Sequence, residues 1–415
     1  MHPLIEELIE KARITAQLNH HHLYLWELYR EKDALYQTRY LLSMEWFPVG
    51  KKKRMKDGSN PPGTVSITMD MHSKRLKSII FVHGKGSNIK VNHVEEWISS
   101  VTGILPSQYK CTRQNEGDYE LQACVRKIPV HPGGYINIQT DDHGNLTMFS
   151  QSGYFPNDDE AAAEEFRLTV EDVWDSYYSQ LKFHEVPSKK ENRYISLFSI
   201  EEVFVVNDDQ SLITYEITGH EEMTVVVDQG LNWEEVEKGK KAKLKPLDWN
   251  HEKVTMLDVL ENQPHPDLIP LTEREIENAK RAVLSFMQNQ YPKESGIWYL
   301  LHLKRDGGYM NALLKMAGDK SVFAKWKRLF LDSEGHHVIN AMDNDWLIDA
   351  VKELEPVGQP ALNKDEAFSR LTPYLQIQPF YVYHNSQKRF VLSGKLDCAY
   401  AVDAVTGELL ELNKI

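Results

Sequence analysis

Residues 388–412, KRFVLSGKLDCAYAVDAVTGELLEL, constrain the fold of this chain more than any other stretch. Apolar and polar residues alternate through Phe390, Leu392, Leu396, Cys398 and Tyr400, and Val402, Leu409 and Leu412 carry the apolar faces past Asp403-Ala404-Val405-Thr406-Gly407. Period-two alternation on both sides of a turn reads as an antiparallel hairpin. Asp403 is placed to accept hydrogen bonds from backbone N–H groups ahead of it and Gly407 tolerates positive φ, so Asp403, Thr406 and Gly407 form a structural turn that fixes the register. None of these residues is a nucleophile, a base or a ligand set.

The same design recurs in looser form upstream. Leu4, Ile5, Leu8, Ile9, Ala12 and Ile14 fall near helical spacing, and the pattern runs on through Leu23, Leu25, Trp26 and Leu28, which predicts a long opening helix or helix pair ending before Tyr36. Strands are predicted at 40–47, 65–69 and 76–81, then a helix over Val94, Trp97, Ile98 and Val101 closed by Gly103. Three more strands follow at 119–125, 135–138 and 146–149. A third helix spans 168–181 with Thr169 as N-cap and Asp172 at N3, and strands come after it at 194–199, 202–206 and 212–217. Prolines 246, 264, 266 and 270 mark a boundary before a helix from Thr272, a strand at 297–303, a helical segment at 309–316, a hairpin around Asp332 to Gly335, two short helices and the closing strands. Trp26, Trp97, Trp174 and Trp346 sit in predicted helices at core-like spacing and read as helix-to-sheet anchors.

The expected fold is therefore α+β: several helix-plus-antiparallel-sheet (αβββ) units in tandem. Two occupy 1–155, a third 160–262, and the C-terminal one or more 263–415. The hairpins resemble those of PepSY-type domains, and the closing AYAVDAVTGELLEL resembles the YcdB/YcdC repeat family of Bacillus-like bacteria, whose turns carry an aspartate followed by a Thr/Ser-Gly pair. Only Asp403 to Gly407 matches that pattern well: Asp141 and Asp332 have their glycines, Gly144 and Gly335, at shorter spacing, and Asp70 has none. The resemblance implies cystatin-like units and no activity. Related PepSY-type domains in peptidase propeptides and in a sporulation protein look like inhibitory or chaperoning modules.

A formal charge of −13 argues against binding nucleic acid or an anionic membrane, both of which need a positive field. The basic run Lys51-Lys52-Lys53-Arg54 precedes Asp57-Gly58-Ser59-Asn60-Pro61-Pro62-Gly63 and reads as a solvated loop. No window approaches the ~18 consecutive apolar residues of a membrane span. The acidic, amphipathic N-terminus is unlike a signal peptide, and three cysteines do not make a disulfide framework, so a cytoplasmic location is expected.

Catalytic motifs are absent: no H-E-x-x-H, G-x-S-x-G, C-x-x-C or phosphate-loop signature occurs. Gly84-Lys85-Gly86-Ser87 lacks the upstream glycine of such a loop, and His220-Glu221-Glu222 is short of any zinc-protease spacing. On a helix, His20, His21 and His22 would point about 100° apart and could not all face one ion, which leaves a single site with Asp33 or Glu27 as the metal-binding alternative to a solvated run. Asp141-Asp142 and Asp208-Asp209 read as turn residues.

The first functional expectation is a non-enzymatic binding or regulatory protein without a cofactor. It engages a peptide or protein partner along a sheet edge, with Phe380, Tyr381 and Tyr383 as the edge strand. The alternatives are a metal-dependent hydrolase built on His336, His337 and Asp343 with Asp345, and a structural role in a spore- or envelope-type assembly.

Overall fold

The computed structural model describes residues 1–82, 88–91, 93–215, 223–234, 241–249, 252–317, 324–356 and 358–414. Two compact units share the chain, and neither is continuous. The first comprises residues 1–164, 250–268 and 380–392; the second comprises 165–249, 269–379 and 393–415.

The first unit opens with α1 (Pro3–Thr15), β1 (His21–Lys32), β2 (Thr38–Pro48), β3 (Val65–Asp70), β4 (Leu76–Phe81) and α2 (Val94–Thr102). It continues with β5 (Tyr109–Asn115), β6 (Asp118–Val125), β7 (Ile128–His131), β8 (Tyr135–Thr140) and β9 (Leu146–Ser152). The second takes over with α3 (Trp174–Gln180), β10 (Leu181–Ser188), β11 (Arg193–Ile200), β12 (Val203–Val206), β13 (Leu212–Thr214) and β14 (Thr224–Gly230). After α4 (Met256–Leu260), which belongs to the first unit, come α5 (Glu273–Gln290), β15 (Trp298–Asp306), β16 (Tyr309–Met316), β17 (Trp326–Leu331), β18 (Val338–Asp343), α6 (Asp345–Val351) and α7 (Lys364–Leu371). β19 (Leu375–His384) and β20 (Arg389–Cys398) form a hairpin whose tip, residues 380–392, counts with the first unit, and β21 (Tyr400–Asp403) and β22 (Leu409–Glu411) end the second.

This architecture overturns the expected α+β tandem of αβββ units. Strand accounts for 41% of the structure against 22% for helix, and one mixed sheet counts 13 strands. The opening segment shows why. After α1 the chain is a strand, and a bulge between Leu23 and Leu25 shifts its phase by one residue. Leu23, Trp26 and Leu28 thereby reach the core, and the three-residue step across the bulge imitates a helical repeat. Residues 309–316 are likewise strand β16, with Met310, Ala312 and Leu314 buried on one face.

In the first unit the sheet runs β1-β2-β3-β4-β9-β8-β6-β7-β19, with β5 also on β6. Its core gathers Ile5, Leu8 and Ala12 of α1, Ile98 of α2, and Leu42, Met44, Ile67, Met69, Ile79 and Phe149 of the strands. Trp97 stands edge-on to Phe149 at 5.0 Å, as an anchor should. In the second unit α5, capped by Thr272 and Glu275, buries Ala279, Val283, Phe286 and Met287 against the five-stranded sheet β14-β15-β16-β17-β18. A separate core packs α3 and α7 with strands β10, β11 and β21, through Tyr177, Phe368, Leu371, Phe198 and Val402. There the Asp403 carboxylate accepts from the N–H groups of Val405 and Thr406, both at 2.8 Å, and Gly407 takes φ +77° beneath the Arg370 guanidinium.

Candidate functional site

The antiparallel register of β1 to β4 and β9 sets Tyr29, Leu41, Asp70, Thr68, Ser78 and Ser150 on the face opposite Leu42, Met44, Ile67 and Met69. Here the first unit holds a cleft of about 820 Å³, within the ordinary range for small-ligand sites. One wall depends on Gly153, at φ +71°, where a Cβ would meet the Gly133 carbonyl at 2.5 Å. That close approach brings Ser152 and Tyr154 to the cleft.

Charged side chains dominate the lining: Glu31, Asp33 and Asp70 against Lys32, Arg39, Arg75 and Lys77. Most are committed. Asp33 closes the β1–β2 turn, its carboxylate accepting from Leu35 N (2.9 Å), Gln37 N (2.8 Å) and Arg39 Nε (2.9 Å). Asp70 does the same between β3 and β4, where its Oδ1 accepts from Ser73 N at 2.7 Å and Ser73 Oγ at 2.9 Å. Lys32 Nζ donates to Asp267 at 3.0 Å.

Arg39 is the cross-strand partner of Glu31, yet its guanidinium turns to Asp33. Glu31 and Lys77 are left half-buried, acting on each other through space, with no hydrogen bond or ion pair of their own among the described residues. Burial raises the Glu31 carboxyl above its ordinary range, and Asp33 and Asp70 add to the shift while Lys77 and Arg39 oppose it. Burial likewise pushes the Lys77 ammonium down, opposed by Glu31 and Asp70. Burial also raises the Tyr154 phenol, which donates to Glu160. The cleft thus holds one desolvated anion and one desolvated cation, neither with a hydrogen bond or ion pair among the described residues.

No family model matches the chain, and no curated protein is similar to it. Among solved structures the Bacillus megaterium YpeB C-terminal domain is similar at 10% identity and a TM-score of 0.25, over 50% of this chain and 96% of that one. So slight a likeness carries neither fold nor function. The resemblance to the YcdB/YcdC family thus rests on the closing hairpin's own residues.

The residues singled out in the sequence lie elsewhere. Phe380, Tyr381 and Tyr383 are on β19, which is not an edge: β7 lies on one side, with Tyr381 opposite Val130, and β20 on the other. Tyr381 is buried, its hydroxyl donating to the Ala162 carbonyl at 3.0 Å and accepting from Arg126 at 2.9 Å. The hydrolase cluster does not assemble. His336 and His337 occupy the tip of the β17–β18 hairpin, whereas Asp343 pairs with Lys327 at the far end of β18, roughly 20 Å along the strand at about 3.3 Å per residue. Asp345 is held by Lys325 at 2.9 Å.

His20 and His22 flank a strand residue rather than sharing a helix, and His21 Nε2 contacts the Gly63 carbonyl at 3.0 Å. Among the described residues no group of three or more His, Cys, Asp or Glu side chains could hold a metal ion. No helix among them is long and apolar enough to cross a membrane. Gly84 to Ser87 and His220 to Glu222 lie outside the described residues.

The helical pattern predicted across β1 hides Glu31, and Lys77, on the correctly predicted strand β4, stands out only through its neighbourhood with Glu31. The signal that reveals Glu31 is the period-two run Tyr29, Glu31, Asp33 leading into an Asp-initiated turn.

Proposed function

We propose that the cleft of the first unit receives a short peptide or a comparable small zwitterion, and that the protein works as a binding module rather than as an enzyme. The observation that carries this reading is the Glu31–Lys77 arrangement: two half-buried, opposite charges in one cleft, with no hydrogen bond or ion pair among the described residues. A ligand ammonium at Glu31 and a ligand carboxylate at Lys77 would each form a charge-assisted hydrogen bond in place of a desolvated charge. Arg75, which lines the same cleft, adds a second donor for the carboxylate end.

Calorimetric titration of the full chain with short unblocked peptides, and with the same peptides acetylated and amidated, tests the reading. Unblocked peptides are expected to bind and the blocked ones to bind at least about tenfold more weakly, as do unblocked peptides to Glu31→Gln and Lys77→Met. Equal affinity for blocked and unblocked peptides would remove this pair from recognition. Hydrolysis of the peptides during the titration would replace the binding role with a catalytic one.

A further inference from the structure

The five-stranded sheet of the second unit has a face that α5 does not cover; at one end of it Trp249 stands edge-on to Tyr309 at 5.8 Å and to Phe330 at 5.7 Å. α5 packs on Leu300, Leu303, Met310, Ala312, Leu314 and Leu329, so alternation turns His302, Lys304, Asn311, Leu313, Lys315, Arg328 and Phe330 the other way. The register sets these residues in rows. Val226, His302, Leu313, Arg328 and Met342 face one another across all five strands, and Thr224, Lys304, Asn311, Phe330 and Asn340 form the next row. Both ends of the His302 row are open to solvent, with Val226 78% and Met342 52% exposed.

The charges in these rows are of one sign. Burial lowers the pKa of the His302 imidazole, and Lys304, Arg328 and Lys315 add to the shift; among the described residues no carboxylate opposes it. Among the described residues none of the three cations has an ion pair. Asp306 is the acidic residue of β15 on this side, and it sits at the strand end opposite Tyr309. Arg328 leans over the Trp326 ring at 5.8 Å, which fixes its guanidinium, yet its Nε is buried without an acceptor.

Asn311 supplies a second, independent observation. It is fully buried in mid-sheet beside Lys304, and neither its Oδ1 nor its Nδ2 has a partner. Buried amides are nearly always satisfied; here the bare Nδ2 is a donor that an anionic oxygen would satisfy, and the bare Oδ1 is an acceptor that a neighbouring ammonium would satisfy.

We propose that this face binds a phosphate-type oxyanion, free or as the monoester of a small metabolite, held by Arg328, Lys304 and Lys315 with the Asn311 amide as a further donor. The fork of the Arg328 guanidinium matches the paired oxygens of a phosphate, and the two lysines supply point charges. The chain as a whole is acidic, so a local positive field of this kind stands against the average and concentrates an anion at one place.

The test follows the His302 ring by nitrogen-detected NMR of the full chain, its signal assigned by loss in His302→Gln. Inorganic phosphate and glycerol phosphate are titrated at constant ionic strength, with chloride as the balancing salt. A saturable change in the His302 signal, with its titration midpoint moved to higher pH, is expected. The tighter of the two ligands identifies whether the free anion or the monoester is preferred. Arg328→Gln and Lys304→Gln are each expected to weaken binding about tenfold, and Lys315→Gln, at an exposed strand position, keeps the test valid if Arg328→Gln fails to fold. A linear, non-saturating response, or the same response to chloride, would mean an adventitious ion only and would overturn the proposal.

Discussion

Glu31 keeps a carboxylate half-buried where its cross-strand partner Arg39 has turned away to Asp33. Because burial raises its pKa, folding favours the protonated form. Its contribution to stability is fully present below the ordinary carboxylate range and is lost as pH rises through the folded value. Glu31→Gln should therefore melt at a higher temperature than the parent at pH 7, and the advantage should vanish near pH ~4, where the parent is itself protonated. Lys77 has a lowered pKa, so its desolvated ammonium costs stability at neutral pH, and Lys77→Met should also raise the Tm there. Melts across this range check both, and lower Tm values at pH 7 would mean that mutual attraction outweighs desolvation. Side chains that carry a binding site at a cost in stability are those most easily replaced to a stability gain. The contrast with Asp403 and Gly407 explains what is legible at this scale. Those two act through backbone a few residues away, which the local sequence contains. Glu31 matters because Arg39 leaves it for Asp33, a choice among three charges that no local pattern records.

Elements were misread where their apparent period came from a distortion or where their neighbours lie far along the chain. The bulge in β1 is the first kind, and so is the start of the predicted third helix. Thr169 and Asp172 do exchange capping hydrogen bonds, Asp172 accepting from Thr169 N at 2.9 Å, but the regular helix begins only at Trp174. Trp346, expected to anchor a helix in the core, is 72% exposed on α6, while Trp298 of β15 fills a core position instead. β19 is the second kind. Its composition reads as a tyrosine-rich edge, and only its parallel pairing with β7 makes it an interior strand. Proline at Val382, a fully buried residue paired with His131, removes a donor and adds a ring between two neighbouring strands. Val382→Pro should cost about 3 kcal/mol or more, read from the midpoint of urea unfolding. An unchanged midpoint would restore the edge that the sequence reading assumed.

At the scale of the whole molecule, the decisive fact is that the first unit is stitched from three separated stretches. Sequence reasoning places boundaries where turn residues and prolines cluster, and it cannot see that residues 250–268 return to a unit begun two hundred residues earlier. The return is specific. Within the first unit the Arg30 guanidinium pairs with Glu252, the Tyr40 hydroxyl donates to the Gln263 carbonyl at 2.5 Å, His265 N donates to Thr38 Oγ1 at 2.7 Å, and Val259 enters the main core. Residues 380–392 contribute equally: Tyr381 pairs along β7, and Phe390 stacks with Tyr154 at 6.0 Å beside the cleft. A fragment of residues 1–164 loses all of these at once. It leaves Tyr40 and Arg30 without their partners, exposes the core where Val259 packed, and turns β7, still paired with β6, into an open sheet edge, the standard route to aggregation. Such a fragment should show poorly dispersed amide signals and concentration-dependent association, although it contains every lining residue of the cleft. A well-dispersed monomeric spectrum would show instead that the first stretch holds the cleft by itself, with the two later stretches as attachments to a finished fold.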